Sequence, residues 1–307
     1  MRQPVKIGTR DSQLATWQAT HVQTLLKERH IDSTLVFIKS DGDMDTVTPL
    51  YEIGVRGIFT KTLDSALLAK QIDLAVHSMK DVPTQLATGI MQAAVLKRAS
   101  FKDLLIFRDN LNFMQNVDGK AIIATSSIRR KAQWLNRYPN HSIENLRGNI
   151  NTRLKKLNDG KWNGAIFAAA GVERISLRPA NSLELDWMLP APAQGAIMLV
   201  CREGDKMVSE ICAETNDITT AECTKAERDF LRALNGGCST PISALAEKIS
   251  GKLFFRGNVC SPDGKQLVEI ERVFDANDTN AGNQAAEEIL QNSIVRDIIY
   301  QIQNEPQ

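Results

Sequence analysis

Asn235-Gly236-Gly237-Cys238-Ser239-Thr240-Pro241 sets a thiol behind two glycines. Glycine admits close backbone approach and φ values closed to other residues. Such a loop presents a thiol; it is equally a tight turn with an incidental cysteine. His77-Ser78-Met79-Lys80-Asp81-Val82-Pro83 ends an apolar run with a lysine beside a carboxylate, ahead of a helix-stopping proline. Spacing alone favours a surface Lys-Asp pair; the other reading is Asp81 as an acid/base group or cation stabiliser. Four further apolar runs end in cationic and hydroxyl groups. Arg10, Asp11 and Ser12 follow Val5–Thr9, and Ser126, Ser127, Arg129 and Arg130 follow Ala121–Thr125. Arg147, Gly148, Asn149, Thr152 and Arg153 follow Ile143–Leu146, and Gly171 and Arg174 follow Gly164–Ala170.

Helical patterns follow these runs, and helix N-termini offer free N–H groups and a positive dipole end. Ser12, Ser126 or Ser127 taken singly reads as a helix cap, and any one arginine as a solvated residue. Four corners with the same chemistry instead describe an anion-binding cleft. No G-x-x-x-x-G-K-[ST] is present, and Gly54-Val55-Arg56-Gly57 lacks the third glycine of a dinucleotide fingerprint. Arginine forks suit carboxylate and phosphate equally, but their spread suits a ligand with several separated carboxylates. The four histidines are scattered and no Cys/His cluster exists, so no metal is expected.

The elements that must position these residues change character along the chain. Val5–Thr9, Asp73–Met79, Ala121–Ser127, Gly164–Ala170 and Ile197–Cys201 are apolar on consecutive residues, as in parallel strands covered on both faces. Amphipathic helices are predicted between them over Gln13–Arg29, from Phe59 to Lys70 and over Asn151–Leu157. This is a doubly wound α/β pattern. Ser243–Ile249, Leu253–Val259 and Gln266–Phe274 then read as an antiparallel meander with turns at Ser250-Gly251 and Asp263-Gly264, followed by one helix from Ala281 to Ile302. Prolines at 190 and 192 mark a return crossing opposite an exit near Arg98–Asp103, and paired crossings leave a cleft at the strand ends. The expected domains are 1–98 with 196–216, 99–195, and 217–307.

The 307 residues exceed one ordinary core. A hydrophobic share of 43% and a charged share of 24% describe an ordinary globular chain, and a formal net charge of +1 gives no global field for nucleic acid. No stretch approaches the roughly 20 apolar residues of a membrane span. The N-terminus has no secretion or transit pattern. Five cysteines without a C-x-x-C pair read as reduced thiols. A cytoplasmic protein is expected.

Taken together and in order, these segments resemble the porphobilinogen deaminase (hydroxymethylbilane synthase) family. The resemblance is carried by Gly8-Thr9-Arg10-Asp11-Ser12, Gly57-Ile58-Phe59-Thr60-Lys61, His77 to Pro83 and Thr125-Ser126-Ser127-Ile128-Arg129-Arg130. Leu146-Arg147-Gly148-Asn149, Gln194-Gly195-Ala196 and Gly236-Gly237-Cys238 complete it. It implies two α/β domains of type II periplasmic-binding-protein type and a C-terminal α+β domain with a three-stranded antiparallel sheet. It implies a dipyrromethane cofactor tethered to Cys238 through a thioether. Porphobilinogen would lose ammonia and be added to the cofactor over four rounds, with hydrolysis releasing a linear tetrapyrrole.

By the same resemblance Asp81 is the catalytic aspartate. Lys80, Asp81, Thr125, Ser126, Ser127, Arg129, Arg130, Arg147 and Gly148 would hold the cofactor. Arg10, Ser12, Arg153, Arg174 and Gln194 would hold substrate, and Arg56, Phe59 and Lys61 would belong to a mobile loop. A monomer without nucleic-acid or membrane partners is implied. The chain departs from the family at Asn235, where glutamate is usual, at Arg56 for lysine, at Thr62 for glutamate, and in Ser40-Asp41-Gly42-Asp43. The rival reading is a non-catalytic binding protein for an organic polyanion, which has no use for Cys238.

Overall fold

The computed structural model describes residues 3–39, 60–115, 119–237 and 239–304. They form three sheets. Along the chain come β1 (Val5–Thr9), α1 (Gln13–Lys27), β2 (Ser33–Phe37), α2 (Lys61–Leu68), β3 (Leu74–Ser78) and β4 (Ile90–Val95). Next are β5 (Asp103–Phe107), α3 (Asn112–Gln115), β6 (Ile122–Ala124), α4 (Ile128–Arg137), β7 (Ser142–Glu144), α5 (Ile150–Asp159), β8 (Gly164–Ala168), α6 (Ala169–Arg174) and β9 (Ser182–Glu184). The rest comprises β10 (Ile197–Arg202), α7 (Lys206–Ala213), α8 (Ile218–Ala233), β11 (Ile242–Ile249), β12 (Lys252–Cys260), β13 (Leu267–Asp275), α9 (Ala281–Ile289) and α10 (Ser293–Asn304). Two compact units result. One holds the first strands up to Ala99 together with Gly195–Glu222; the other holds Ser100–Gln194 and the chain from Cys223 onward.

The first unit is built on a sheet of order β2-β1-β3-β10-β4. Alternation along β1 sends Val5 and Ile7 into a core with Ala19, Val22 and Leu26 of α1 and Val208 and Ile211 of α7. Gly8 faces the other way. A methyl group there would lie 2.2 Å from Ile72 Cδ1, so glycine is what lets the chain approach so closely.

The second unit repeats the arrangement as β7-β6-β8-β5-β9. Period-two alternation splits its strands between two cores. Leu104, Ile106, Ala124, Ala165 and Phe167 pack with Leu157 of α5 and Val172 of α6. Leu105, Ile123 and Ile166 pack on the opposite face with Trp134 of α4 and Tyr138 just after it. Helices therefore cover both faces, as the doubly wound pattern predicts.

The same unit carries the antiparallel sheet β11-β12-β13. Its own core includes Phe230 of α8, Phe255 of β12, Ala285 of α9 and Ile298 of α10. The sheet rests on α4, where Gln133 Nε2 donates to Ser243 Oγ at 3.0 Å and Asn136 Nδ2 to the Gly264 carbonyl at 2.8 Å. The fold class expected from the sequence, two α/β domains and a C-terminal α+β part, is the one the chain adopts.

Two expectations change. The run Ile197–Cys201 forms a strand, but β10 lies antiparallel to both β3 and β4, and β5 likewise runs antiparallel to β8 and β9. A central strand is apolar on consecutive residues in either direction, so the pattern carries burial and not polarity. The single final helix is two. Asn292 accepts from the Ile294 amide through Oδ1 at 2.9 Å and so starts α10, while Arg296 Nη1 donates to the freed carbonyls of Leu290 and Gln291. The break leaves Ile294, expected on the apolar stripe, 38% exposed.

At the start of α9, Gly282 sits against α8. A methyl group there would lie 2.0 Å from the Ala226 carbonyl oxygen, a backbone atom that cannot step aside. Gly→Ala inside a helix ordinarily stabilises by up to about 1 kcal/mol. Gly282→Ala should invert that sign and destabilise by roughly 1–3 kcal/mol, as overpacking does. Urea unfolding of the two proteins measures the difference, and a stabilised variant would refute the close approach.

Candidate functional site

In the first unit, β1 and β3 are parallel neighbours with Gly8 opposite Ala75, so their carboxyl ends share one edge of the sheet. β1 delivers Arg10 and then Ser12, whose hydroxyl caps α1 by accepting from the Ala15 amide at 3.3 Å. β3 runs into a single 3-10 turn, Met79–Asp81, closed by the Val82 amide on the Met79 carbonyl at 3.1 Å. Buried Met79 and Val82 anchor this turn and leave Lys80 and Asp81 half-buried beside the strand end. Gln18 of α1 donates to Ser78 Oγ at 2.9 Å, which ties the helix to the end of β3. Arg10, Ser12, Lys80 and Asp81 therefore come from adjacent corners of one edge.

His77, the last but one residue of β3, is buried. Burial first, and the nearby charge of Arg10 second, pull its pKa down to about 3. The imidazole is therefore neutral at ordinary pH.

In the second unit, β6 pairs in parallel with β7 and with β8, so three carboxyl ends share an edge. From β6 come Thr125, Ser126 and Ser127. The Ser126 hydroxyl donates to the Leu146 carbonyl and accepts from the Leu146 amide at 3.1 Å, clasping the loops after β6 and β7. Ser127 caps α4 by accepting from the Arg130 amide at 3.4 Å. From β7 come Arg147, buried, and Gly148, whose φ of 110° puts it in the region that favours glycine. A Cβ there would also lie 2.8 Å from Thr152. Asn149 caps α5 by accepting from the Thr152 amide at 3.0 Å, which brings Arg153 into the first turn. β8 leads into α6 and Arg174, whose pKa burial lowers to about 10 against the opposing charge of Glu173. The first turns of α1, α4, α5 and α6 carry no acidic residue. The positive ends of these helix dipoles are thus not offset by a carboxylate of their own first turn.

Arg129 and Arg130 have a partner that the sequence reading did not single out. Asp103, the first residue of β5, is 0% exposed. Its Oδ2 accepts from Arg129 Nη2 at 2.7 Å, and its Oδ1 from Arg130 Nε at 3.0 Å and Nη2 at 2.7 Å. Gln194 Nε2 donates to the same Oδ1 at 2.9 Å and to the Phe101 carbonyl at 2.8 Å. A carboxylate opening an otherwise apolar strand was the available signal, because an ionised group in that place must be paired.

A second buried carboxylate lies in α8. Glu227 of α8 accepts from the Ala193 amide at 2.6 Å and from the Ala246 amide at 2.8 Å. Ala193, itself buried, is held at a φ of 63°.

Cys238, Arg56, Phe59 and Ser40-Asp41-Gly42-Asp43 lie outside the described residues; Lys61 opens α2 and is exposed. Around position 238 the flanks are defined. Asn235 has a φ of 53°, a left-handed conformation that asparagine tolerates better than most residues do. The Thr240 hydroxyl accepts from the Gly237 amide at 3.1 Å and donates to its carbonyl at 2.8 Å. The other cysteines, at 201, 212, 223 and 260, are buried, and burial pushes the thiols of Cys212 and Cys260 up to about 12. No cluster able to hold a metal exists among the described residues. No helix among them is long and apolar enough to cross a membrane.

A family model described as porphobilinogen deaminase, dipyromethane cofactor binding domain, matches residues 5–210. Another, porphobilinogen deaminase, C-terminal domain, matches residues 221–291. The porphobilinogen deaminase of Syntrophotalea carbinolica is 43% identical over 269 residues, 86% of this chain and 85% of that protein. The chloroplastic enzyme of Pisum sativum is 38% identical over 299 residues, covering 93% and 81%. Among solved structures, the methionine binding protein MetQ gives a TM-score of 0.44 at 13% identity, over 69% of this chain and 89% of its own. The periplasmic VFT2 domain of Bordetella pertussis BvgS gives 0.42 at 13% identity, over 69% and 86%.

The neutral His77 has a measurable consequence. The unfolded side chain titrates near 6.5 and the folded one near 3, so the unfolded state binds the extra proton between these values. The contribution is complete above pH 6.5 and is lost as pH falls toward 3. Between pH 7 and pH 5 the stability difference between wild type and His77→Gln should shrink by about 2 kcal/mol. Urea unfolding at the two pH values tests this; a difference independent of pH would exclude it.

Proposed function

The chain belongs to the porphobilinogen deaminase family, and on that premise we propose how its own residues serve the polymerisation of porphobilinogen in tetrapyrrole biosynthesis. The observation that carries the proposal is the pair of strand-end edges, each lined by arginine and hydroxyl groups at helix N-termini, with Lys80 and the acceptor Asp81 placed beside the first. Porphobilinogen bears two carboxylates, ionised near neutral pH because such groups titrate near roughly 4. A hydrogen bond to a charged group contributes about 1.5–3 kcal/mol, so several forks hold a growing polyanion.

Dipyrromethane is the family's cofactor and suits this donor set, since it too joins carboxylates to pyrrole N–H groups. When bound, it supplies the nucleophilic pyrrole carbon onto which the substrate is added. Cys238 is its attachment point. Thr125, Ser126, Ser127, Arg129, Arg130, Arg147 and Gly148 bind its carboxylates, with Lys80 as a further cation. Arg10, Ser12, Arg153 and Arg174 bind those of the substrate, and Arg56, Phe59 and Lys61 belong to a loop over it. Asp81 accepts hydrogen bonds from pyrrole N–H groups. As ammonia leaves the substrate, its carboxylate stabilises the positive charge that develops on the ring. Half-burial favours this role, because a partly desolvated carboxylate interacts more strongly with a cation than a solvated one.

The wider reading is a monomer in the cytoplasm, where the free thiols of Cys201, Cys212 and Cys260 suit a reducing compartment. The domain limits 1–98 with 196–216, 99–195 and 217–307 complete it. The separate core drawn entirely from residues 223–298 supports the last of these.

Intact-mass measurement of purified protein should show the added mass of one dipyrromethane, mapped by digestion to the peptide holding Cys238. Unmodified, fully active protein would refute the tether, and unmodified protein without turnover would favour a reversible polyanion binder. Asp81→Asn should lower kcat by roughly 10²–10⁴-fold, the usual range for a lost acid/base or charge-stabilising group, with the adduct still in place. Turnover near that of wild type would remove Asp81 from the mechanism.

A further inference from the structure

Two guanidinium groups and one carboxylate meet where β5 begins beside the end of β8, all of them almost fully buried. Asp103 is 0% exposed, Arg129 4% and Arg130 6%. The geometry is over-determined. Arg130 is held by Asp103 through Nε and Nη2, and its Nη1 donates to the Ile166 carbonyl at 3.0 Å. Arg129 is held by Asp103 through Nη2, and its Nη1 donates to the Leu189 carbonyl at 2.7 Å. Successive residues on a helix point about 100° apart, so two neighbouring arginines would ordinarily diverge. One carboxylate, fixed at the head of a buried strand, draws both to a common point.

The cluster is also one negative charge short. Among the described residues two cations share a single anion in a nearly dry setting, and Gln194 adds a neutral donor and no charge. Burial lowers the pKa of Arg129; Asp103 opposes the shift and Arg130 adds to it. Hydrophobic replacement of a buried ion cluster is often neutral or stabilising, so stability alone is a weak reason for this one. An arginine offers five N–H donors, and neither guanidinium spends all of its own on Asp103 and the two carbonyls.

We propose that Asp103 is a positioning residue for the reaction. It fixes Arg129 and Arg130 so that their remaining N–H donors and their surplus positive charge meet a carboxylate of the bound pyrroles, and Gln194 belongs to this scaffold rather than to the substrate. The inference rests on the reading of Arg129 and Arg130 as carboxylate binders. Its consequence is that loading of the dipyrromethane and affinity for porphobilinogen both depend on a side chain that touches neither.

The test compares Asp103→Asn, Asp103→Glu and Gln194→Leu as purified proteins. It measures the fraction carrying the added mass, KM and kcat for porphobilinogen, and Tm. Asp103→Asn should reduce the loaded fraction at least fivefold and raise KM of the loaded protein at least tenfold, with kcat per loaded molecule within twofold. Asp103→Glu should recover part of both. Wild-type loading and KM in Asp103→Asn, with only Tm lowered, would make Asp103 structural and overturn the proposal. Should Asp103→Asn fail to fold, Gln194→Leu decides. Reduced loading together with raised KM supports a shared scaffold; raised KM with normal loading marks a direct substrate contact and overturns it, as do unchanged values of both. The double variant Arg129→Gln/Arg130→Gln separates the two levels. Normal loading there removes the arginine reading itself, whereas lost loading there beside normal Asp103→Asn removes only the role of Asp103.

Discussion

An ionised carboxylate with no access to water, Asp103, is the constraint around which the second unit is arranged. Charge in such a place is tolerated only when paired and fully hydrogen-bonded. That requirement recruits partners from far apart in sequence: Arg129 and Arg130 at the start of α4, and Gln194 on the segment that returns to the first unit. Secondary anchors follow from the primary one. The Leu189 carbonyl that takes Arg129 also takes Gln133 Nε2, and Gln133 in turn meets Ser243 of the C-terminal sheet. The path from β5 through α4 to β11 consists of directional bonds rather than of apolar contact alone, and direction is what fixes orientation.

The two α/β sheets solve one problem twice. Parallel strands bring their carboxyl ends to a common edge, and the helices that follow turn their N-termini toward it. Local chemistry then decides what that edge attracts. Side-chain caps come from Ser12, Ser127 and Asn149, and acidic residues are absent from the first turns. The edges therefore keep their positive potential for a ligand. Gly148, at a φ of 110° and tight against Thr152, allows Arg147 and the start of α5 to follow one another without an intervening turn.

Much of this was legible in the sequence. Strand ends bearing Arg10, Arg129 and Arg147 were visible because charged groups break apolar runs abruptly. The C-terminal meander was visible because Ser250-Gly251 and Asp263-Gly264 supply turns between alternating strands, and both glycines adopt positive φ. What was hidden depended on partners distant in sequence. The direction of β10 is set by its neighbours and not by its composition. β2 and β4 each expose part of their length and lack the continuous apolar signal of the central strands. Asp103 gave only the hint of one acid before Leu104-Leu105-Ile106, and nothing local says that two arginines will come to it. The break between α9 and α10 rests on one asparagine inside an apolar period that runs on past it.

Glu227 has a consequence for how the second unit deforms. Its two carboxylate oxygens hold the amides of Ala193 and Ala246, one on the return segment and one on the C-terminal sheet. The helix, the segment and the strand thus form a three-way joint with a single rigid pin. Sliding β11 past the return segment must strip a backbone amide from a carboxylate in a dry interior, and small displacements meet a steep restoring force. The neighbour of one of those amides is Gln194, already bound to Asp103. The joint therefore behaves as a rigid coupling and not as a hinge.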